Sequence, residues 1–505
     1  MAHCPHNVYD SFHKRYLKET PAVSSELDEV LVDKIIDYLV EQIKEKMLFS
    51  CLPSNWLSTK TGKLRARYCS AYRKLLKQGF DIRRDSKIKG FVKLERFYEE
   101  LKAARMILGR NPEFNIAYAQ IIEPIEKAFF ALEQVANACD YKSCGDKFSK
   151  LVGGFMGEND MSKYEGSQQE KVLHYEYRVY SRCMEQMVPV LDRLFAAKMM
   201  KTGSVSCKDD LFGLSTLIKF IFQNCRGSGD MDTSLGNGIL NYISTMYSQI
   251  KNFCPNCPIV NCTNPSCVTT RFVLKGDDSY FKIPKILGVV MRNYYSHFGF
   301  DAKLIFRNSP EDVEFCSGHF VEYEPGKHIY VQKLQKLLTS LTTCINPDIL
   351  RNGWVAHYYK SLGMMYKKLY GNLPYYSDIA DFLLATDERL GLNINLVQSY
   401  NVLDAFRSSK VNDIDYNTSL ARVSISMVNR MDFGELESLS RWLKCSRLQF
   451  PPELSKRCHV RNRVASDIPE IDFELLNSQV LTSEVPKEVD KIMRKLKRVY
   501  RMKCC

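Results

Sequence analysis

The chain has 505 residues, enough for several lobes, because single cores rarely grow past about 250–300 residues. Its 45% apolar and 26% charged content is that of a folded soluble protein, and no apolar run reaches the ~18 residues of a membrane span. A net charge of +13, from 71 basic against 58 acidic side chains, favours a polyanionic partner, nucleic acid or an anionic membrane surface, without choosing between them.

Met1 to Tyr16 is polar and lacks a signal-peptide core, so most of the 18 cysteines read as reduced thiols in a cytosolic setting. Residues 26–48 show helical periodicity with one apolar face. Residues 62–95 are strongly basic, either a solvated helix face or a polyanion surface. Ile121 to Ala138 predicts an amphipathic helix, and Gln168 to Ala197 a long helix interrupted near Pro189. Arg226 to Gly238 is a Gly-, Ser- and Asp-rich loop leading into a helix over 238–250. Thr269–Leu274 and Ser279–Ile283 are β-prone runs around Lys-Gly-Asp-Asp, which predicts a hairpin with Gly-Asp-Asp at a tight turn. Beyond about residue 330 the pattern is helical, most clearly over 331–344, 354–370 and 376–390, and it ends in a basic helix over 486–503.

The chemistry centres on three segments. Asp277 and Asp278 are adjacent carboxylates flanked by apolar strand residues, an arrangement that is unfavourable unless cations neutralise it. Hard divalent ions such as Mg²⁺ or Mn²⁺ take oxygen ligands, and a pair of them suits phosphoryl transfer. Upstream, Asp160 and Glu165 lie in Glu158-Asn-Asp-Met-Ser-Lys-Tyr-Glu-Gly-Ser167. If Asp160 ends a strand, it can face the hairpin aspartates with Glu165 one layer further out. Between these segments lies Gly227-Ser-Gly-Asp-Met-Asp-Thr-Ser-Leu-Gly-Asn237, whose Ser228, Thr233 and Asn237 can hydrogen-bond a ribose hydroxyl. The alternative for that loop is a helix N-terminus capped by Asp or Ser.

In this order the three segments resemble palm motifs A, B and C of RNA-dependent RNA polymerases of positive-strand RNA viruses, and the form of motif B is most similar to tombusvirus-like and nodavirus-like enzymes. Phe91–Glu95 with Lys102–Asn115 resembles motif F, which implies Lys93, Lys102, Arg105 and Arg110 as guides for the triphosphate. Gly299–Lys303 resembles motif D, with Lys303 as candidate general acid for the leaving pyrophosphate, and Glu314–Gly318 resembles motif E. Motif A departs from the family in one place, because Glu165 stands where aspartate is usual. In the family that residue works with the motif B asparagine, here Asn237, on the ribose.

The resemblance implies an α+β right hand: antiparallel palm sheet, mainly helical fingers and thumb. The boundaries would be an N-terminal extension over 1–60, fingers over 61–150, palm over 151–330 with a helical fingers insertion near 168–222, and thumb over 331–505. Asp160, Asp277 and Asp278 would hold two Mg²⁺ or Mn²⁺ ions. RNA and nucleoside triphosphates would be the partners, with other viral replication proteins at host membranes. The setting would be host cytoplasm, peripheral to membranes.

Cys254, Cys257, Cys262 and Cys267 follow a C-x2-C-x4-C-x4-C spacing between motifs B and C. Four thiolates at such spacings suit tetrahedral Zn²⁺, and the alternative is a polar loop with free thiols. Two rivals bound the function. A reverse transcriptase would lack the ribose-reading Asn237. A non-catalytic RNA-binding scaffold would have no reason to keep three carboxylates.

Overall fold

The computed structural model describes residues 4–17, 19–48, 53–60, 62–93, 103–208, 215–259, 271–283, 291–342, 347–385, 396–397, 406 and 414–447. The basic segment 486–503 lies outside them.

The element that organises the centre is a long helix over Thr233–Phe253, labelled here αC. It is buried from Leu235 to Ile250, with the polar side chains of Asn237, Asn241, Ser244, Thr245, Ser248 and Gln249 enclosed along with the apolar ones. Its Ile239, Ile243, Met246 and Ile250 meet three other helices in one core: Glu29–Lys46, Pro112–Phe130 and Glu170–Cys183. The first matches the expected amphipathic stretch at 26–48. The second starts nine residues before the expected Ile121, because Pro112 is well placed in a first helical turn.

Against αC lies an antiparallel sheet in the spatial order β6-β7-β3-β8. Its strands are β3 (Phe155–Met161), β6 (Phe272–Lys275), β7 (Asp278–Ile283) and β8 (Ala302–Arg307). A second core joins the helix over Tyr141–Leu151 to the hairpin of β9 (Gly318–Glu324) and β10 (Lys327–Gln332). The later helices, including Val355–Tyr370, Tyr376–Leu384 and Thr418–Asn429, pack on the same core.

The expected helical insertion at 168–222 is only half helical. Helices span Glu170–Cys183 and Val188–Met199, with the break at Met184 and Pro189 in the first turn of the second helix. Residues 200–208 and 215–223 are instead two strands, β4 (Met200–Lys208) and β5 (Ser215–Gln223). With β1 (Ile88–Val92) and β2 (Met106–Arg110) they form a sheet ordered β2-β1-β4-β5, in which β1 runs parallel to β4. In β5, Ile218, Phe220 and Phe222 point inward while Leu217 and Ile221 stay exposed. Apolar residues on both faces hide the two-residue period that marks a strand. The first helix, Pro5–Arg15, seats Val8 and Phe12 on this sheet.

Candidate functional site

Strands β6 and β7 are joined by a two-residue turn, Gly276-Asp277, with Lys275 opposite Asp278. Gly276 has φ +64° and Asp277 a negative φ, the sign pattern of a type II′ turn, which favours glycine first. Asp277 therefore sits at the exposed tip and Asp278 starts β7. On the other side of β7, Asn159 of β3 pairs with Ser279, so the next residue, Asp160, comes beside Asp278. Asp160 is in turn the register partner of Lys303 on β8, and both are exposed. The sheet thus gathers the three expected aspartates and Lys303 at one end.

The carboxylates raise one another's proton affinity. Asp277 is pushed up to about 7, first by partial loss of hydration, then by Asp278 and Glu165, with Arg105 opposing. Its side chain is open to water, yet the walls around it still exclude much of the solvent. Asp278 is also raised, by burial first and by Asp160; the thiol and amide of Cys316 donate to it and oppose the rise. Cys316 and Ser317 both have positive φ, which turns the chain back toward the hairpin. Glu158, one strand position from Asn159, is held by Arg307 at 3.0 and 3.1 Å and accepts from the Glu314 amide at 2.7 Å, which ties β3 to the same return loop.

A residue that sequence reasoning missed fixes the turn. Asn241 Nδ2 donates to the carbonyls of Gly276 at 3.0 Å and Asp278 at 3.3 Å, while its Oδ1 accepts from Thr245 Oγ1 at 2.9 Å. Asn237 precedes it by one helical turn and so shares its face of αC. Two asparagines four apart, and so on one face of a predicted helix, were the available signal.

Asn237 does not pair with Glu165. Its Oδ1 accepts from Gln168 Nε2 at 2.9 Å, and its backbone carbonyl accepts from Tyr164 Oη at 3.2 Å. Gln168 Oε1 accepts from Arg226 Nε at 2.7 Å. Arg226 pairs with Glu176, and Lys198 bridges Glu176 and Asp232; all four side chains are buried. Burial alone would raise Asp232, but Lys198 and Arg226 outweigh it and hold its carboxyl at about 2. Gly236 is required here, because any Cβ would strike Glu176 and Arg226. Glu165 instead lies near Tyr16, whose phenol is hydrogen-bonded with Ser228; loss of hydration and the Glu165 charge raise the phenol's proton affinity. Tyr16 stacks on Phe222, centroids 5.1 Å apart, so the N-terminal helix reaches the site.

Two expected ribose contacts have other work in the described residues. Thr233 Oγ1 donates to the carbonyls of Gly227 at 3.0 Å and Asp230 at 2.7 Å, so it shapes the loop before αC. The Ser228 side chain is hydrogen-bonded with the Tyr16 phenol, and its carbonyl accepts from Leu108 N at 2.6 Å. The cap expected from Asp or Ser is also absent, since Asp232 at the N-cap turns its carboxylate to Lys198, Tyr118 and Tyr180.

The basic candidates divide. Arg105 is exposed and acts on Asp277; Lys93 is half-buried and its amide donates to the Arg105 carbonyl at 2.7 Å. Lys102 lies outside the described residues. Arg110 corrects the expectation placed on it. Its guanidinium is buried, bound to Asp230 at 2.7 Å, to the Ser86 carbonyl at 2.9 Å and to the Lys198 carbonyl at 3.2 Å. With each nitrogen engaged, it is a tie between β2 and the loop before αC rather than a group presented to a triphosphate.

Among the described residues, no three His, Cys, Asp or Glu side chains are drawn together as a preformed metal-ligand set. Asp277 and Asp278 are raised first by lost hydration and then by neighbouring carboxylates, so added positive charge would be favoured there. Oxygen-only donors under mutual repulsion fit a hard divalent cation. Of the four expected thiol ligands, Cys254 and Cys257 are buried in a turn where the Cys257 amide donates to the Cys254 carbonyl at 2.8 Å and the Ile259 amide to Cys257 Sγ at 3.4 Å. Cys262 and Cys267 lie outside the described residues. No helix among the described residues is long and apolar enough to cross a membrane.

Comparison with known proteins gives an independent line. The family described as viral RNA dependent RNA polymerase matches residues 4–433. The RNA-directed RNA polymerase of Pothos latent virus (isolate Pigeonpea/India) is 25% identical over 279 residues, covering 51% of this chain and 34% of its own length. That of Groundnut rosette virus (strain MC1) is 25% identical over 346 residues, 65% of this chain and 38% of its own length. That of Tobacco necrosis virus (strain D) is 25% identical over 336 residues, 60% and 42% respectively. The chain thus spans well under half the length of these curated relatives. The relationship is to tombusvirus-like plant viruses, which narrows the expectation that also named nodaviruses.

Proposed function

This chain belongs to the viral RNA-dependent RNA polymerase family, and from that premise we propose that it extends RNA by template-directed nucleotidyl transfer. The RNA 3′-hydroxyl attacks the α-phosphate of a nucleoside triphosphate and pyrophosphate leaves. The observation that carries this reading is the convergence of Asp160, Asp277 and Asp278 at one end of a single sheet.

Each residue then has a role that follows from its place. Asp160, Asp277 and Asp278 would hold two Mg²⁺ or Mn²⁺ ions, which when bound supply charge neutralisation for the attacking and leaving oxygens. Asn241 keeps the Gly276-Asp277 turn in register, so the carboxylates are in place before substrate arrives. Arg105, exposed near Asp277, is the candidate for the triphosphate, joined by Lys93 and Lys102. Lys303, across the strand pair from Asp160, is the candidate proton donor to pyrophosphate. Asn237 reads the ribose, with Ser228 and Glu165 nearby on the Tyr16 side. RNA occupies a surface suited to it by the net charge of +13, so binding weakens steeply with salt. In this reading the sheet β6-β7-β3-β8 is the palm, the sheet β2-β1-β4-β5 with its flanking helices belongs to the fingers, and the helices after 333 form the thumb.

Zinc on Cys254, Cys257, Cys262 and Cys267 is the second part of the proposal, supported by spacing and by the Cys254–Cys257 turn. Attachment to host membranes would come through other viral replication proteins or the basic surface. Primer–template extension with labelled nucleotides tests the central claim. The expected result is Mg²⁺- or Mn²⁺-dependent product from wild type and none from Asp277→Ala. Product undiminished by that substitution would overturn it.

A further inference from the structure

Arg226, Gln168 and Asn237 form a chain of side-chain hydrogen bonds whose direction is fixed at its buried end. Arginine only donates, so the end of Gln168 that meets Arg226 Nε at 2.7 Å is its oxygen. The other end is therefore the amino group, and it donates to Asn237 Oδ1 at 2.9 Å. Asn237 can then turn only its Nδ2 away from Gln168. Neither Gln168 nor Arg226 has freedom to reverse this order. Gln168 is fully buried, and Arg226 is anchored by Glu176 and lies 3.7 Å from Asp232. Charge held deep in the protein thus sets the polarity of an amide at the site's edge, on the face of αC where Asn241 grips the catalytic turn.

We propose that Gln168 is a specificity-determining positioning residue: it orients Asn237 so that a hydrogen-bond donor, not an acceptor, meets the 2′ position of the incoming nucleotide. This rests on the polymerase reading above. Its consequence is a defined preference. A 2′-hydroxyl accepts from Nδ2, a 2′-fluorine accepts weakly, and a 2′-hydrogen does not accept. The order of use should be hydroxyl, then fluoro, then deoxy. Glu165, which lies toward Tyr16 and is not bonded to Asn237, is not what sets this order.

Gln168→Glu makes the sharp test because it keeps size and keeps an acceptor for Arg226. Its second oxygen also accepts, so Asn237 must rotate and present Oδ1 to the ribose. A 2′-hydroxyl can donate to Oδ1, and fluorine cannot. In primer extension with the full chain, Gln168→Glu should use ordinary triphosphates within about threefold of wild type while 2′-fluoro analogues fall to the level of 2′-deoxy ones. Gln168→Leu, which leaves Asn237 unguided, should lose about five- to tenfold of the ribo-over-deoxy preference, the worth of one hydrogen bond. Should Gln168→Leu fail to fold, Gln168→Glu alone decides. Analogue ratios unchanged in Gln168→Glu, or all three nucleotide types falling together, would overturn the inference and leave Gln168 a scaffold residue. A wild type that extends no primer overturns the polymerase reading itself and the inference with it.

Discussion

Replacing Asp277 by asparagine should stabilise the metal-free protein while abolishing its activity. The Asp277 carboxyl stands at about 7 against an ordinary 3.8, raised by lost hydration, Asp278 and Glu165. Between those values the folded state binds more protons than the unfolded one, so stability falls as pH rises from about 4 to 7 and stays low above it. That displacement corresponds to at most ~4 kcal/mol. The side chain is open to water, so solvent screening reduces this to roughly 1–2 kcal/mol. For a chain of this size the gain is about 1–2 °C in Tm. Thermal melts of wild type and Asp277→Asn with chelator at pH 5 and pH 8 measure it. The variant should melt higher at pH 8, the gap should shrink at pH 5, and millimolar Mg²⁺ or Mn²⁺ should narrow the gap at pH 8 by stabilising wild type. A variant that melts at or below wild type at pH 8 without metal refutes the reasoning, because the carboxylates would then not be in conflict.

Asn241→Ala removes both donors to the catalytic turn and should cost about 1–3 kcal/mol in denaturant unfolding, with kcat falling much more than nucleotide KM rises. Arg110→Ala leaves the buried Asp230 without a hydrogen-bonded cation and with only Lys201 at 3.8 Å, so a loss of about 2–4 kcal/mol is expected by chemical denaturation, whereas Arg105→Ala should leave Tm within about 1 °C and raise nucleotide KM. A lower Tm for Arg105→Ala than for Arg110→Ala would reverse these assignments. One zinc per chain is expected by elemental analysis of protein purified without chelator, and Cys257→Ser should lower that ratio; protein without zinc sinks the thiolate reading.

Much of the centre was legible because its signals are local. Gly276-Asp277 between two β-prone runs specifies a tight hairpin by itself, and the helical period of 233–253 needs no partner to be seen. The strands at 200–208 and 215–223 were not legible. Their apolar residues fall on both faces; they pair with each other, and β4 is joined to the sheet by Ile88–Val92, more than a hundred residues earlier.

The two arginines of the motif F-like segment show the same division within six residues. The resemblance to motif F marks Arg105 and Arg110 alike as candidate phosphate ligands. On an extended chain an odd separation sends them to opposite faces, and β2 buries Met106, Leu108 and Arg110. Only the packed neighbours decide which face is inside, and Asp230, 120 residues away, makes burial of that charge tolerable. Asn237 follows the same rule. The sequence by itself placed an asparagine where the family resemblance expects a ribose contact. That Gln168 rather than Glu165 holds it, with Arg226 setting the direction of the bonds, came only from tertiary contacts, because a hydrogen bond's polarity depends on the whole chain of partners behind it.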